Sequence, residues 1–325
     1  MRIDVHAHYF TKEYLDLLDE MGGVEPTTRP GRRSLWPSPS ADLEARFAAM
    51  DRASIDVEIL SVSGVAPYFM EERKAIAGAR LINDTYAELA RAYPGRFCAY
   101  AALPLPHIDA SLAELARAMD TLGAVGATVS TSVFGKGLGD PQFDPLWEEL
   151  DRRNAVLFVH PAGLACHSPE IRQSDLQWVL GAPVEDALCA LQLIQAGIPV
   201  RFPKMRVIIP HLGGVLPFII HRLHELAPRF VEGAQNLSVR DAVRSFWYDT
   251  VNGLGSALSL AREVFGAERL VFGTDYPFWR DEAHQWAATY VETSGLPADE
   301  LEQIFSGNAE SLFAGRIPQL RPRPA

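Results

Sequence analysis

The chain has 325 residues, 48% of them hydrophobic and 22% charged, and a net charge of −11. That is ordinary globular composition with ample length for a large buried core, and the acidity argues against nucleic-acid or anionic-membrane partners. Three cysteines (Cys98, Cys166 and Cys189) show no CxxC spacing, so a reducing compartment is expected rather than a disulfide framework. No basic leader with an apolar run occurs, and no stretch of about 18 apolar residues. The expectation is a soluble, cytoplasmic protein.

The opening Met1-Arg2-Ile3-Asp4-Val5-His6-Ala7-His8 is the most informative segment. Ile3–His6 reads as a short buried strand, and strand alternation puts His6 and His8 on one side of its end. Two imidazoles placed so can fill adjacent corners of one metal ion. Residues 25–40 (Glu25–Ser40) carry four prolines, three arginines and Trp36, and read as a long loop insertion of the lid or interface kind. Strand patterns then recur at Asp56–Val62, Phe97–Leu103, Ala127–Val133, Val156–His160, Arg206–Pro210, Phe246–Thr250 and Leu270–Gly273. Helical patterns fall at Leu43–Arg52, Glu71–Tyr93, Ala110–Leu122, Pro145–Arg153, Val184–Ala196, Val215–Leu226, Ser256–Phe265 and Asp281–Thr293. Asp109 and Asp144 sit where helix N-caps belong, and Gly95 and Gly123 near helix ends. Residues 316–325 (Arg316–Ala325), with three prolines, read as an extended C-terminal tail.

Eight strands rich in Val, Ile, Leu and Phe, alternating with helices, predict parallel strands covered on both faces. Closed on themselves they form a (β/α)8 TIM barrel, expected as one domain over residues 1–325. A doubly wound open sheet fits the local signals almost as well, but no Gly-rich phosphate fingerprint follows the first strand. In a barrel the C-terminal strand ends build the active site. His6 and His8 end the first strand and His160 the fifth. His211, in Ile208-Ile209-Pro210-His211-Leu212-Gly213-Gly214, follows the sixth. Asp275, in Phe272-Gly273-Thr274-Asp275-Tyr276-Pro277, follows the eighth. Five polar residues at four strand ends converge on one mouth. Three neutral imidazoles and one carboxylate suit Zn²⁺ or another borderline first-row ion, with a position left for water or substrate. Buried polar groups at matching ends would otherwise each need a separate partner.

This constellation resembles the amidohydrolase superfamily along nearly the whole chain. More narrowly, it is similar to the branch holding aminocarboxymuconate-semialdehyde decarboxylase and the aromatic-acid decarboxylases. The residues that carry this are Phe272-Gly273-Thr274-Asp275-Tyr276-Pro277-Phe278, His211-Leu212-Gly213-Gly214, Arg46-Phe47-Ala48-Ala49-Met50-Asp51 and Gly307-Asn308-Ala309. The resemblance implies His6, His8, His160 and Asp275 as metal ligands. It implies a single divalent ion, Zn²⁺ ahead of Mn²⁺, because no lysine ends the fourth strand to bridge two ions, and no organic cofactor. It implies His211 as the catalytic histidine, Asp275 as a second catalytic group, and a homodimer. Arg46 matches a carboxylate-binding arginine of the decarboxylase relatives, a task that suits a planar guanidinium. One departure bears on substrate. The semialdehyde decarboxylase follows its strand-five histidine with Pro-Trp-Asp, whereas this chain has Pro161-Ala162-Gly163, a smaller apolar wall. His167 in that loop is expected to face solvent, and Cys166 has no adjacent base. His107, His221, His224 and His284 are read as structural.

The function so implied is a metal-dependent, non-oxidative decarboxylase of a small aromatic or conjugated carboxylic acid. A hydrolase of an amide or lactone is the alternative, since such a site can present hydroxide near pH 7. A hydratase is a third reading. Ligands alone do not separate these, because function lives in the substrate pocket.

Overall fold

Eight strands pair in parallel in chain order, β1 (Ile3–His8), β2 (Val57–Ser61), β3 (Phe97–Ala102), β4 (Gly126–Ser130), β5 (Val156–His160), β6 (Arg206–Ile209), β7 (Trp247–Asp249) and β8 (Leu270–Val271). The computed structural model describes residues 1–22, 28–62, 64–164, 168–231 and 238–317. The principal helices are α1 (Lys12–Glu20), α2 (Thr28–Ser34), α3 (Pro39–Arg52), α4 (Glu72–Ala92), α5 (Ile108–Asp120), α6 (Asp144–Arg152), α7 (Ala182–Gln195), α8 (Leu216–Phe230), α9 (Gly255–Phe265) and α10 (Glu282–Glu292). The strands alternate with helices as the sequence predicts, and the architecture is a (β/α)8 barrel. Among the described residues no helix is long and apolar enough to cross a membrane.

Strand side chains sort into two apolar layers. Val5, Val57, Ile59, Tyr100, Phe158 and Ile208 form a central cluster. Their neighbours Leu60, Ala101, Val159, Ile209 and Phe272 pack outward in the larger cluster with the helices. Each fully buried Val, Leu, Ile or Phe among them contributes about 1.5–3 kcal/mol. The barrel closes between β1 and the end of β8 by a bridge at Ala7 and Tyr276. Three backbone bonds support that seam: Val5 N to Phe272 O (2.9 Å), Asp275 N to His6 O (2.7 Å) and His8 N to Tyr276 O (2.6 Å).

β1 is not a regular strand. Asp4 lies opposite Glu58 but Ala7 opposite Leu60, so three steps on β1 match two on β2. One extra residue makes this a β-bulge. Below it, Ile3 and Val5 belong to the central cluster. Above it, His6 faces the same interior, its ring 4.8 Å from Phe158, while Ala7 packs outward.

The segment expected as a loop over residues 25–40 is partly helical. Thr28–Ser34 forms α2 and Pro39 opens α3. Prolines do not prevent this, because Pro30 and Pro39 sit in first turns, where backbone N–H groups have no intrahelical acceptor. Ser38 caps α3 by accepting from Ala41 N at 3.2 Å. Gly31 lets α2 lie close on the barrel, since a Cβ there would meet Phe10, Leu15 and Val65 at 3.2–3.3 Å. Asp109 and Asp144, expected as N-caps, lie inside the first turns of α5 and α6. There a carboxylate still meets the positive helix end. Of the expected tail, Arg316 bonds Asn154 O and Arg153 O, and residues 318–325 lie outside the described residues.

Candidate active site

His6 and His8 leave the top of β1, His160 ends β5, and Asp275 follows β8. One ligand atom from each lies within 4.8 Å of the other three. The outer nitrogens of the rings are tied back. His6 Nδ1 donates to Asp249 Oδ2 at 2.7 Å and His160 Nδ1 to Pro161 O at 3.1 Å. His8 Nδ1 bonds Ser61 Oγ at 2.9 Å. Carboxylate and carbonyl oxygens only accept, so in neutral His6 and His160 each Nε2 carries a lone pair. His6 Nε2 and His8 Nε2 are 3.1 Å apart, and Asp275 Oδ1 is 2.9 Å from the second and 3.3 Å from the first. Lone pairs crowded so closely repel unless a cation lies among them. A bond of about 2.0–2.1 Å to each ligand leaves neighbouring donors roughly 3–3.5 Å apart, which these spacings approach. The residues therefore fit a divalent ion.

Burial lowers the His8 imidazole to about 4, with the His6 and His211 charges adding to it against a bond to Asp275. Burial, then His8 and His6, hold His160 well below the usual range. His6 goes the other way, to about 9, because Asp249 and Asp275 outweigh its burial. Burial would raise Asp275, but His6, His211 and His8 hold it well below the carboxylate range. Neutral His8 and His160 and an ionised Asp275 are the states that ligation requires, while His6 would give up its proton as the ion binds.

His211 stands beside this set. Its Nδ1 bonds Asp186 Oδ2 on α7 at 2.8 Å, and its Nε2 is 3.9 Å from Asp275 Oδ2. Its side chain is 17% exposed, against 12% for Asp275 and none for His6. Asp186 and Asp275 hold the imidazole well above its ordinary range against burial. The turn that presents it is tight. His211 and Leu212 have φ of 56° and 53°, and a Cβ on Gly214 would lie 1.8 Å from Pro183 O. Asp275 has φ of 62°. Side chains rarely adopt this region, and such strain concentrates at working sites.

Arg46 is not where its sequence match places it. Its side chain is 1% exposed, with Nη1 on Glu58 Oε2 and Nη2 on His8 O, both at 2.7 Å. Its guanidinium also lies 4.6 Å from the Tyr276 ring. From α3 the Arg46 side chain faces the strands, so the guanidinium ends behind the ligands, and Arg46 does not line the cavity. Arg46→Ala would strand the buried Glu58 carboxylate. It is expected to cost about 3–5 kcal/mol of stability in urea unfolding. A loss below about 1 kcal/mol, with a large rise in substrate KM, would restore the clamp reading.

A cavity of about 590 Å³ opens over the ligands. His160, His211 and Asp275 form its floor, Trp178 and Phe278 stand as aromatic walls, and Arg33 and Arg280 reach its rim. Arg280 is engaged, with Nη2 on Ser34 O at 2.5 Å. Arg33 is exposed and has no hydrogen-bond or ion-pair partner among the described residues. The small wall at Ala162-Gly163 is filled from elsewhere, because a Cβ on Gly163 would lie 2.4 Å from the Trp178 ring. Glu185 Oε2 fixes that loop by accepting from Ala162 N (2.8 Å) and Gly163 N (3.1 Å). His167 and Cys166 lie outside the described residues. A cavity of about 650 Å³ between α4 and α5, at the opposite pole, has no comparable donor set among the described residues.

Asp249, Asp186, Ser61, Arg33 and Trp178 were not anticipated. Ser61 and Asp249 lie at or near the ends of predicted strands, so the strand-end rule could have selected them. Asp186 lies within a helix and carries no such signal.

A family model described as amidohydrolase matches residues 3–315. The chain belongs to the amidohydrolase family. This amidohydrolase is 31% identical over 324 residues to 6-methylsalicylic acid decarboxylase of Penicillium expansum, covering 96% of each chain. It is 30% identical over 241 residues to 2-amino-3-carboxymuconate-6-semialdehyde decarboxylase of Dictyostelium discoideum, covering 73% of this chain and 67% of that one. Its fold matches a dihydroxybenzoic acid decarboxylase from Polaromonas sp. JS666, solved with bound manganese and the inhibitor 2-nitroresorcinol. The TM-score is 0.79 with 27% identity and 97% of each chain covered.

Proposed function

We propose that this amidohydrolase is a metal-dependent, non-oxidative decarboxylase of a small aromatic acid. The observation that carries the proposal is the convergence of three imidazoles and Asp275 beneath a cavity with aromatic walls and an exposed arginine at its rim. His6, His8, His160 and Asp275 would hold one divalent ion, with Zn²⁺ suited to the nitrogen-rich set and Mn²⁺ its competitor. When bound, the ion supplies positive charge that orients the substrate carboxylate and an adjacent oxygen.

The chain's own residues supply the rest. Arg33 draws the anion to the mouth, and Trp178 and Phe278 offer faces to a flat ring. His211, held protonated by Asp186, keeps a proton at Nε2, and Asp275 Oδ2, 3.9 Å away, is placed to relay it. The proton goes to the ring carbon that bears the carboxylate. The bond to the carboxylate then breaks, its electron pair restores the aromatic ring, and CO2 leaves. The net reaction consumes one proton and needs no oxidant. A homodimer in the cytoplasm completes the proposal and is checked by light scattering and fractionation.

The test is an assay of metal-loaded protein against 6-methylsalicylate, dihydroxybenzoates and neutral lactones and amides. CO2 release from the acids is expected. Turnover of the neutral compounds with no CO2 from the acids would replace this reading with a hydrolase. Arg33→Ala is expected to raise KM for a carboxylate about 10-fold. That is the low end for a charge-assisted bond, because Arg33 is exposed. An unchanged KM would remove Arg33 from substrate capture.

A further inference from the structure

We infer that Asp4 is a positioning residue for the metal centre, stapling the β1 bulge to the turn after β8. The inference rests on the ligand assignment above. The bulge takes the His6 amide out of the strand ladder, and Asp4 Oδ1 accepts that N–H at 2.9 Å. The same oxygen accepts from Thr274 N at 3.1 Å, and Oδ2 accepts from Thr274 Oγ1 at 2.5 Å. Thr274 Oγ1 in turn accepts from Tyr276 N at 3.3 Å. One carboxylate thus fixes the backbone of His6 on one side of the barrel seam and the residues flanking Asp275 on the other.

Asp4 does not line the cavity, and its hydrogen bonds toward the site run to the His6 and Thr274 backbone N–H groups and to Thr274 Oγ1. It lies on the outer side of β1, opposite Glu58, with no solvent exposure. An ionisable group is placed there at a desolvation cost, since Asp4 is fully buried and paired in register with Glu58. An apolar residue would fill the site without that cost but would orphan the bulged amide. Three of the four ligands, His6, His8 and Asp275, sit on the two arms that Asp4 joins. Small errors at these backbones become errors in donor spacing, to which ion affinity is sensitive.

The experiment measures Mn²⁺ dissociation by electron paramagnetic resonance of free ion, with circular dichroism to verify folding. Asp4→Ala and Thr274→Val are expected to weaken Mn²⁺ binding about 10-fold or more, in the range of outer-sphere partners. Asp4→Asn is expected to stay within about threefold, because its carbonyl still accepts both N–H groups. If Asp4→Ala does not fold, Thr274→Val and Asp4→Asn decide. Wild-type affinity in Thr274→Val, or Asp4→Asn as weak as Asp4→Ala or Thr274→Val, overturns the inference. Failure of the wild-type protein to bind Mn²⁺ or Zn²⁺ overturns the ligand assignment itself, a separate result.

Discussion

Replacing His211 with Asn is expected to lower kcat for decarboxylation by about 10²–10⁴-fold while the divalent ion stays bound. Asn can still donate to Asp186, so the turn at residues 211–214 keeps its anchor. What is lost is Nε2, the atom 3.9 Å from Asp275 Oδ2. KM should move little if His211 acts on the proton rather than on binding. The measurement pairs CO2 release in single turnover with elemental analysis of the same sample. Loss of the ion along with activity would make His211 a ligand. Unchanged turnover would remove it from the chemistry.

The second large effect is expected at His160. His160→Ala removes one of four donors and the only one contributed by the far side of the barrel. Ion affinity should fall by at least about 10²-fold, since even outer-sphere partners cost 10–100-fold. At a fixed excess of metal, a 10²-fold loss of affinity removes about 2.7 kcal/mol of metal-dependent stabilisation. The readout is thermal unfolding with and without added Zn²⁺ or Mn²⁺. Wild type should show a metal-dependent rise in Tm that the variant lacks. An equal rise in both would mean that the ion binds elsewhere.

The barrel was legible because its signals are local. Parallel strands buried on both faces read as apolar runs, and helices announce themselves by period and length. The ligands were legible because strand ends in this architecture share one mouth, so residues 269 positions apart in the chain, His6 and Asp275, could be placed together. Arg46 shows the limit. A motif match gives a residue its place on α3 but not the direction of its side chain, and here Glu58 and the His8 carbonyl claim it. Trp178 shows another. It meets Gly163 from a separate turn, and one sequence carries no mark of that meeting. The prolines of residues 25–40 misled because their breaking effect depends on position within a turn.

The phase change in β1 has a consequence for splicing this scaffold. Inward residues fall on odd positions up to Val5 and on even positions from His6. The lower half of the strand answers to packing and the upper half to coordination, and the two are indexed independently. A chimera that borrows β1 from another barrel can cross over at the bulge. If it instead joins one residue out of register above it, Ala7 turns toward the mouth and both imidazoles turn toward the helices. The chain would keep every residue of its opening motif and lose the site.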